Sequence, residues 1–162
     1  MLFIFALGII VVLLFGTVVI VGPPYLPTKQ KQIKTALDLL QIGPGDTLLE
    51  LGSGDGRVML AAARRGANVV GYELNPLLVL ISWLWTLPYR KQVTIVWGNY
   101  WTRPWPVADA IFTFMLPRQM ARLDQKIATW HMRPVRFASF AFFVPGKKPV
   151  AQQDGVFLYT YK

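Results

Sequence analysis

The run Glu50-Leu51-Gly52-Ser53-Gly54-Asp55-Gly56-Arg57 is where this sequence carries its clearest chemistry. A short apolar stretch, 47–49, precedes it, and an alanine-rich apolar segment, 58–63, follows it. A strand, a glycine turn and a helix start in that order present backbone N–H groups to an anionic or nucleoside ligand. The spacing is Gly-x-Gly-x-Gly, and Arg57 stands where a dinucleotide fingerprint would carry its third glycine. Glu50 at the strand end would repel a pyrophosphate, so the site suits a cationic or amine-bearing ligand instead. A plainer reading is a tight turn that needs glycine for positive φ.

An acidic residue followed by Gly-x-Gly-x-Gly resembles the first motif of the class I S-adenosylmethionine-dependent methyltransferases. The likeness extends over residues 22–161 through Arg57, the alanine-rich segment, Gly71-Tyr72-Glu73-Leu74-Asn75-Pro76 and Pro117-Arg118-Gln119-Met120. These resemble a branch of small membrane-anchored protein lysine methyltransferases, bacterial relatives of the mitochondrial enzymes that modify the ATP synthase c subunit and the adenine nucleotide carrier. The resemblance implies S-adenosyl-L-methionine as cofactor and a lysine of a membrane-associated protein as acceptor. Two other readings stay open: a methyltransferase for a small molecule or lipid, and a non-catalytic membrane-associated module that binds the cofactor.

On that resemblance, Gly52, Gly54 and Gly56 let the backbone approach the methionine part of the cofactor, and Ser53 adds a hydrogen bond. Glu50 orders the loop and contacts the amino group, directly or through water. Asp55 joins that polar network or caps the helix that follows. Glu73, at the end of the second strand, accepts from the ribose hydroxyls in folds of this kind, or else pairs with a nearby cation. Asn75 is a second ribose contact or the cap of a helix beginning at Pro76. Asn99, in Gly98-Asn99-Tyr100, matches the family position that recognises the adenine amine, and its amide can both accept and donate. Leu74 or Tyr100 can sandwich the ring or be ordinary core.

Methyl transfer to an amine asks a protein mainly for alignment and exclusion of water. The family presents its acceptor from the end of the fourth strand, here Thr113-Phe114-Met115-Leu116-Pro117. Carbonyls of Met115 and Leu116 are candidates to orient the amine, and Phe114 and Tyr100 to line a channel. Phe114 and Met115 also read as core residues of a buried strand. His131 is the lone histidine and there is no cysteine, so neither a metal site nor a Ser–His–acid nucleophile is expected.

The elements that must place these residues alternate. Apolar periodicity and breakers predict a helix from about Thr28, with Ile33, Leu37 and Leu40 on one face, stopped by Gly43-Pro44-Gly45-Asp46. Strands are predicted at 47–51, 68–72, 93–97, 108–115, 135–143 and 156–161, with helices at 57–65, 76–87 and 118–130. The fold class expected is α/β, a doubly wound Rossmann-like methyltransferase sheet. Two shortenings are predicted: a loop in place of a helix over 99–107, and a hairpin-like return of 137–143 against 156–161 that trims the sheet near its C-terminal side.

The length fits about one domain. Residues 2–21 are apolar but for Thr17 and, as a helix, reach about 30 Å, the thickness of a bilayer core. Lys29, Lys31 and Lys34 follow this stretch and no basic residue precedes it, which places the remainder on the cytoplasmic face. The organisation expected is thus a transmembrane anchor at 1–22, a proline-containing connector and amphipathic helix at 23–45, and a methyltransferase domain at 46–162. The expected partners are the lipid bilayer and a membrane-protein substrate, and the expected location is the membrane, single-pass. The formal charge of +9 suits an anionic surface. Nucleic acid is not expected as a partner, because no arginine-rich helix or aromatic-basic module accompanies the charge.

Overall fold

The computed structural model describes residues 26–130 and 134–162, together with Met1, Phe5 and Gly8. Helix α1 (Gln30–Leu39) leads into β1 (Thr47–Leu51), α2 (Arg57–Arg64), β2 (Asn68–Glu73), α3 (Pro76–Thr86) and β3 (Val93–Trp97). After a helix-free segment come β4 (Ala110–Thr113), α4 (Pro117–Trp130), β5 (Val135–Phe140), β6 (Ala151–Gln153) and β7 (Val156–Tyr161). The seven strands form one sheet in the order β3-β2-β1-β4-β5-β7-β6. Strands β1 to β5 run parallel, and β7 lies antiparallel between β5 and β6.

The central strands carry continuous apolar runs because both of their faces are covered. Leu48 on one face of β1 packs with α1 and α2 through Ile33, Leu37, Val58, Met59 and Ala62. Leu49 and Leu51 on the other face pack with α4 through Met120, Leu123 and Ile127. Helix α1 therefore belongs to the same core as the sheet, with Ile33, Ala36 and Leu37 buried.

The doubly wound sheet and both shortenings agree with the sequence reading. No helix forms between β3 and β4 or between β5 and β7, and β7 pairs antiparallel with β5, Val135 opposite Tyr161 and Phe140 opposite Val156. The short strand β6 was not foreseen; its three residues give period-2 patterning too little length to register. Leu87, expected as the last residue of the preceding helix, instead opens a separate 3-10 turn, Leu87–Tyr89, with Pro88 inside it.

One expectation is corrected. Among the described residues no helix is long and apolar enough to cross a membrane. A spanning helix needs about 20 apolar residues, whereas the longest described helix, α4, has 14 and is amphipathic. The transmembrane anchor, the bilayer as partner and the single-pass placement facing the cytoplasm accordingly have no support in the fold. The stretch 2–21 on which they rested lies, but for Phe5 and Gly8, outside the described residues, as does His131.

Candidate functional site

Because β1, β2 and β4 are adjacent and parallel, their C-terminal ends bring three loops together. The β1–α2 turn begins with Gly52, whose N–H, like that of Ser53, donates to the carbonyl of Tyr72 on β2 at 3.0 and 2.9 Å. Gly52, Gly54 and Gly56 all have φ between 55° and 81°, the left-handed region that favours glycine. The turn and the loops after β2, β3 and β4 enclose one cavity, in the crevice where doubly wound sheets hold ligands.

Of the candidate cofactor and acceptor residues singled out in the sequence, all but Gly56 line this cavity. Gly56 instead caps α2 and packs against α3: a Cβ there would lie 2.3 Å from Ser82 Oγ. Its role in this structure is close approach between two helices.

Glu73 is buried and gathers the loops. Its Oε2 accepts from the Gly54 N–H at 2.8 Å, and its Oε1 accepts from the N–H groups of Leu74 and Asn75 at 2.9 and 2.8 Å. One carboxylate thus joins the glycine turn to the loop after β2. Asn75 takes the capping role, with Oδ1 accepting from Leu77 N–H at 2.9 Å. Its Nδ2 is buried without a partner, as are Ser53 Oγ and Glu50 Oε2. Buried polar atoms are normally satisfied, so three such atoms beside one cavity mark a polar ligand site. Burial pushes the Glu50 carboxyl well above its usual range, and the nearby charges of Asp55 and Glu73 push it the same way.

Asp55 lines the cavity, and its Oδ1 accepts from the Arg57 N–H at the start of α2 at 3.2 Å. Its carboxylate is also forked by the Arg57 side chain, with Nη2 to Oδ2 at 2.6 Å. Asn99 closes an Asx turn, Oδ1 accepting from the Trp101 N–H at 2.9 Å. Trp97 donates its indole N–H to the Leu74 carbonyl at 3.0 Å and so ties the edge strand to the cavity loop.

The remaining wall is apolar. Tyr100, Phe114, Met115 and Leu116 line it together with Phe142. Phe114 packs on Phe140 and Phe142, with ring centroids 4.7 and 6.4 Å away. Met115 is buried and meets the Tyr100 hydroxyl through its sulfur at 3.8 Å. Burial pushes the Tyr100 phenol up to about 12, with the Glu73 charge adding to that and the Trp101 contact and Arg122 opposing it. Lys126 donates to the carbonyls of Tyr100 and Trp101 at 2.7 and 2.9 Å and fixes this loop from behind.

Sequence reasoning missed Leu26, Pro27 and Thr28, which also line the cavity, along with Tyr72, Leu78 and Phe142. Pro27 read as part of a connector and Thr28 as the start of a helix, because local pattern says nothing of what the segment packs on. Phe142 follows β5, and only the pairing of β5 with β4 brings it beside Phe114.

Comparison with known proteins places this geometry among relatives. The ATP synthase c-subunit lysine N-methyltransferase of Xenopus laevis is 31% identical over 128 residues, covering 78% of this chain and 56% of that protein. The adenine nucleotide translocase lysine N-methyltransferase of Mus musculus is 32% identical over 131 residues, covering 79% and 57%. This chain thus spans somewhat over half of each of those two proteins. A protein-lysine N-methyltransferase of Saccharolobus islandicus (strain REY15A) is 26% identical over 149 residues and is covered for 92% of its length, against 85% of this chain. Among solved structures, an RNA methyltransferase from Salinibacter ruber in complex with S-adenosyl-L-homocysteine superposes with a TM-score of 0.77 at 25% identity, covering 84% of this chain and 92% of that one. The model of the ANTKMT methyltransferase domain matches residues 50–151, from the buried Glu50 to the start of β6. This chain belongs to that family, within the class I S-adenosylmethionine-dependent methyltransferases.

Proposed function

We propose that this protein is an S-adenosylmethionine-dependent protein-lysine N-methyltransferase whose acceptor is a lysine of a membrane-associated protein, such as the ATP synthase c subunit. The observation that carries the reading is a cavity with two chemistries. Glu50, Asp55 and Glu73 supply carboxylates around the glycine turn, and Tyr100, Phe114, Met115, Leu116 and Phe142 supply an apolar, aromatic wall. The names of the relatives at 31% and 32% identity support the acceptor class.

The residues fit the cofactor. Unpartnered Glu50 Oε2 is an acceptor for an ammonium, and unpartnered Ser53 Oγ and Asn75 Nδ2 are available to the same polar ligand. Each carboxylate oxygen can accept about two hydrogen bonds, so Glu73 Oε2, with one backbone donor, keeps capacity for a ribose hydroxyl. Asn99 keeps capacity for an adenine amine in the same way. When bound, the cofactor supplies an electrophilic methyl on a sulfonium, and transfer makes an N–C bond as the S–C bond breaks. What this chain supplies is alignment and dryness. The backbone after β4, at Met115 and Leu116, orients the amine, and the aromatic wall strips its water. Tyr100 stays protonated across the neutral range and acts as a wall, not as a base. The amine must therefore arrive neutral, which the apolar wall favours by lowering its pKa.

The test is transfer of labelled methyl from S-adenosylmethionine to membranes prepared from the source cells. Label in a protein band, at a lysine, is the expected result. Label in the organic extract would replace the protein acceptor with a lipid or small molecule. Cofactor binding with no transfer to either would leave a binding module.

A further inference from the structure

We propose that Arg57 is a positioning residue that fastens residues 26–28 across the cavity and makes that segment a wall of the cofactor site. The inference rests on the cofactor reading above.

Arg57 is the first residue of α2, so its backbone is set by the left-handed Gly56 before it and the helix behind it. Its guanidinium faces two ways. Nε lies 3.0 Å from both Asp55 oxygens and Nη2 lies 2.6 Å from Oδ2, a fork that a planar guanidinium can form and an ammonium cannot. Nη1 reaches out and donates to the carbonyl of Thr28 at 3.2 Å, across 29 positions of sequence. One side chain thus joins the glycine turn to a segment that precedes the whole sheet.

Helix α1 anchors the same C-terminal end of the segment. Thr28 is buried, and the following residues enter α1, where the Ile33 N–H donates to the Lys29 carbonyl at 3.1 Å and Ile33, Ala36 and Leu37 are buried in the core. Ending at these holds, Leu26, Pro27 and Thr28 line the same cavity as Glu50, Glu73 and Leu74. Leu26 is 60% exposed, so it stands at the rim and contributes little to the core. Proline at 27 restricts the backbone there, so a single polar contact at Thr28 suffices to hold the wall. An arginine at position 57, in place of the third glycine of a dinucleotide loop, is explained by this task.

Calorimetric titration with S-adenosylhomocysteine, on the full chain, tests it. Arg57→Lys keeps the charge but loses the fork, and should weaken binding about tenfold, the effect of about one charge-assisted hydrogen bond. Leu26→Ala, at an exposed rim position, should weaken it about threefold, as expected for loss of part of an apolar contact. If Arg57 acts through the segment, the two losses are coupled: the double variant should bind within about twofold of Arg57→Lys alone. Hydrogen exchange at the Thr28 and Lys29 amides should slow on ligand addition in the parent and not in Arg57→Lys. Parental affinity in Arg57→Lys, or fully additive losses, would overturn the proposal. Should Arg57→Lys fail to fold, unchanged affinity in Leu26→Ala with no ligand protection at 28–29 would overturn it equally. A parent that binds no S-adenosylhomocysteine would instead sink the cofactor reading itself.

Discussion

Glu73 is held by three backbone N–H groups from two loops, and that geometry sets its expected sensitivity. Glu73→Gln removes the charge and turns one acceptor oxygen into a donor facing backbone donors. We expect cofactor affinity to fall by about 1.5–3 kcal/mol, the range for a hydrogen bond to a charged group. Calorimetry on the folded variant checks this, and unchanged affinity would move the ribose elsewhere. At this scale the sequence was informative where a residue acts through its neighbours in the chain. That Glu50, Ser53, Asp55, Glu73 and Asn75 face one cavity was legible, since each sits at a strand end or on the turn just after it, where local spacing sets the form. Gly56 was not, because its neighbour Ser82 comes from another helix. Leu26, Phe142 and the outer reach of Arg57 were hidden for the same reason: their partners are set by packing and strand order.

The joint between α2 and α3 makes an element-scale prediction. A side chain at Gly56 meets Ser82 Oγ at 2.3 Å and its Cβ at 3.0 Å, while the backbone there has φ of +81°. Gly56→Ala should destabilise the fold by about 2–4 kcal/mol, combining left-handed strain with overpacking. Ser82→Ala in the same chain removes the nearer contact and should restore part of that loss, leaving the strain. Denaturant unfolding of the three variants measures it; no rescue would mean that strain alone accounts for the loss. The order of helices and strands was legible from period and breakers, since each run is long enough to show its pattern. Their ends were less so. Strand β4 stops at Thr113, two residues before its predicted end, because Phe114 and Met115 leave the ladder to line the cavity.

For the molecule as a whole, the buried Glu50 couples stability to pH. Its carboxyl is raised well above the ordinary 4.5, first by burial and then by the charges of Asp55 and Glu73. A group protonated more readily in the folded state stabilises the fold below its unfolded pKa, and that contribution is lost as pH rises through the folded value. The ligand-free protein should therefore lose stability as pH climbs above 4.5 and through the raised value. Glu50→Gln should flatten that part of the curve and raise Tm at neutral pH while weakening cofactor binding. Thermal unfolding across this range checks the slope, and an identical slope in the variant would refute the assignment. Binding of cationic S-adenosylmethionine favours the ionised carboxylate, so protons should leave on binding. Titration in buffers of different ionisation enthalpy reads that release.

The tie between α1 and the last hairpin bears on how the chain is made. Thr35 Oγ1 donates to Asp154 at 2.9 Å and Lys31 pairs with it at 2.6 Å, across 119 positions in the first case. The core over α1 also includes Ala138 and Val156, from strands β5 and β7. During synthesis, Ile33, Leu37 and Leu40 emerge long before β5 and β7, which complete their cover. The part of the α1 face covered by β5 and β7 should stay open until they emerge, a feature that exposes growing domains to premature association. Ribosome-bound chains halted before residue 135 should recruit a hydrophobic-binding chaperone, and chains halted with residues up to 162 outside the exit tunnel should release it.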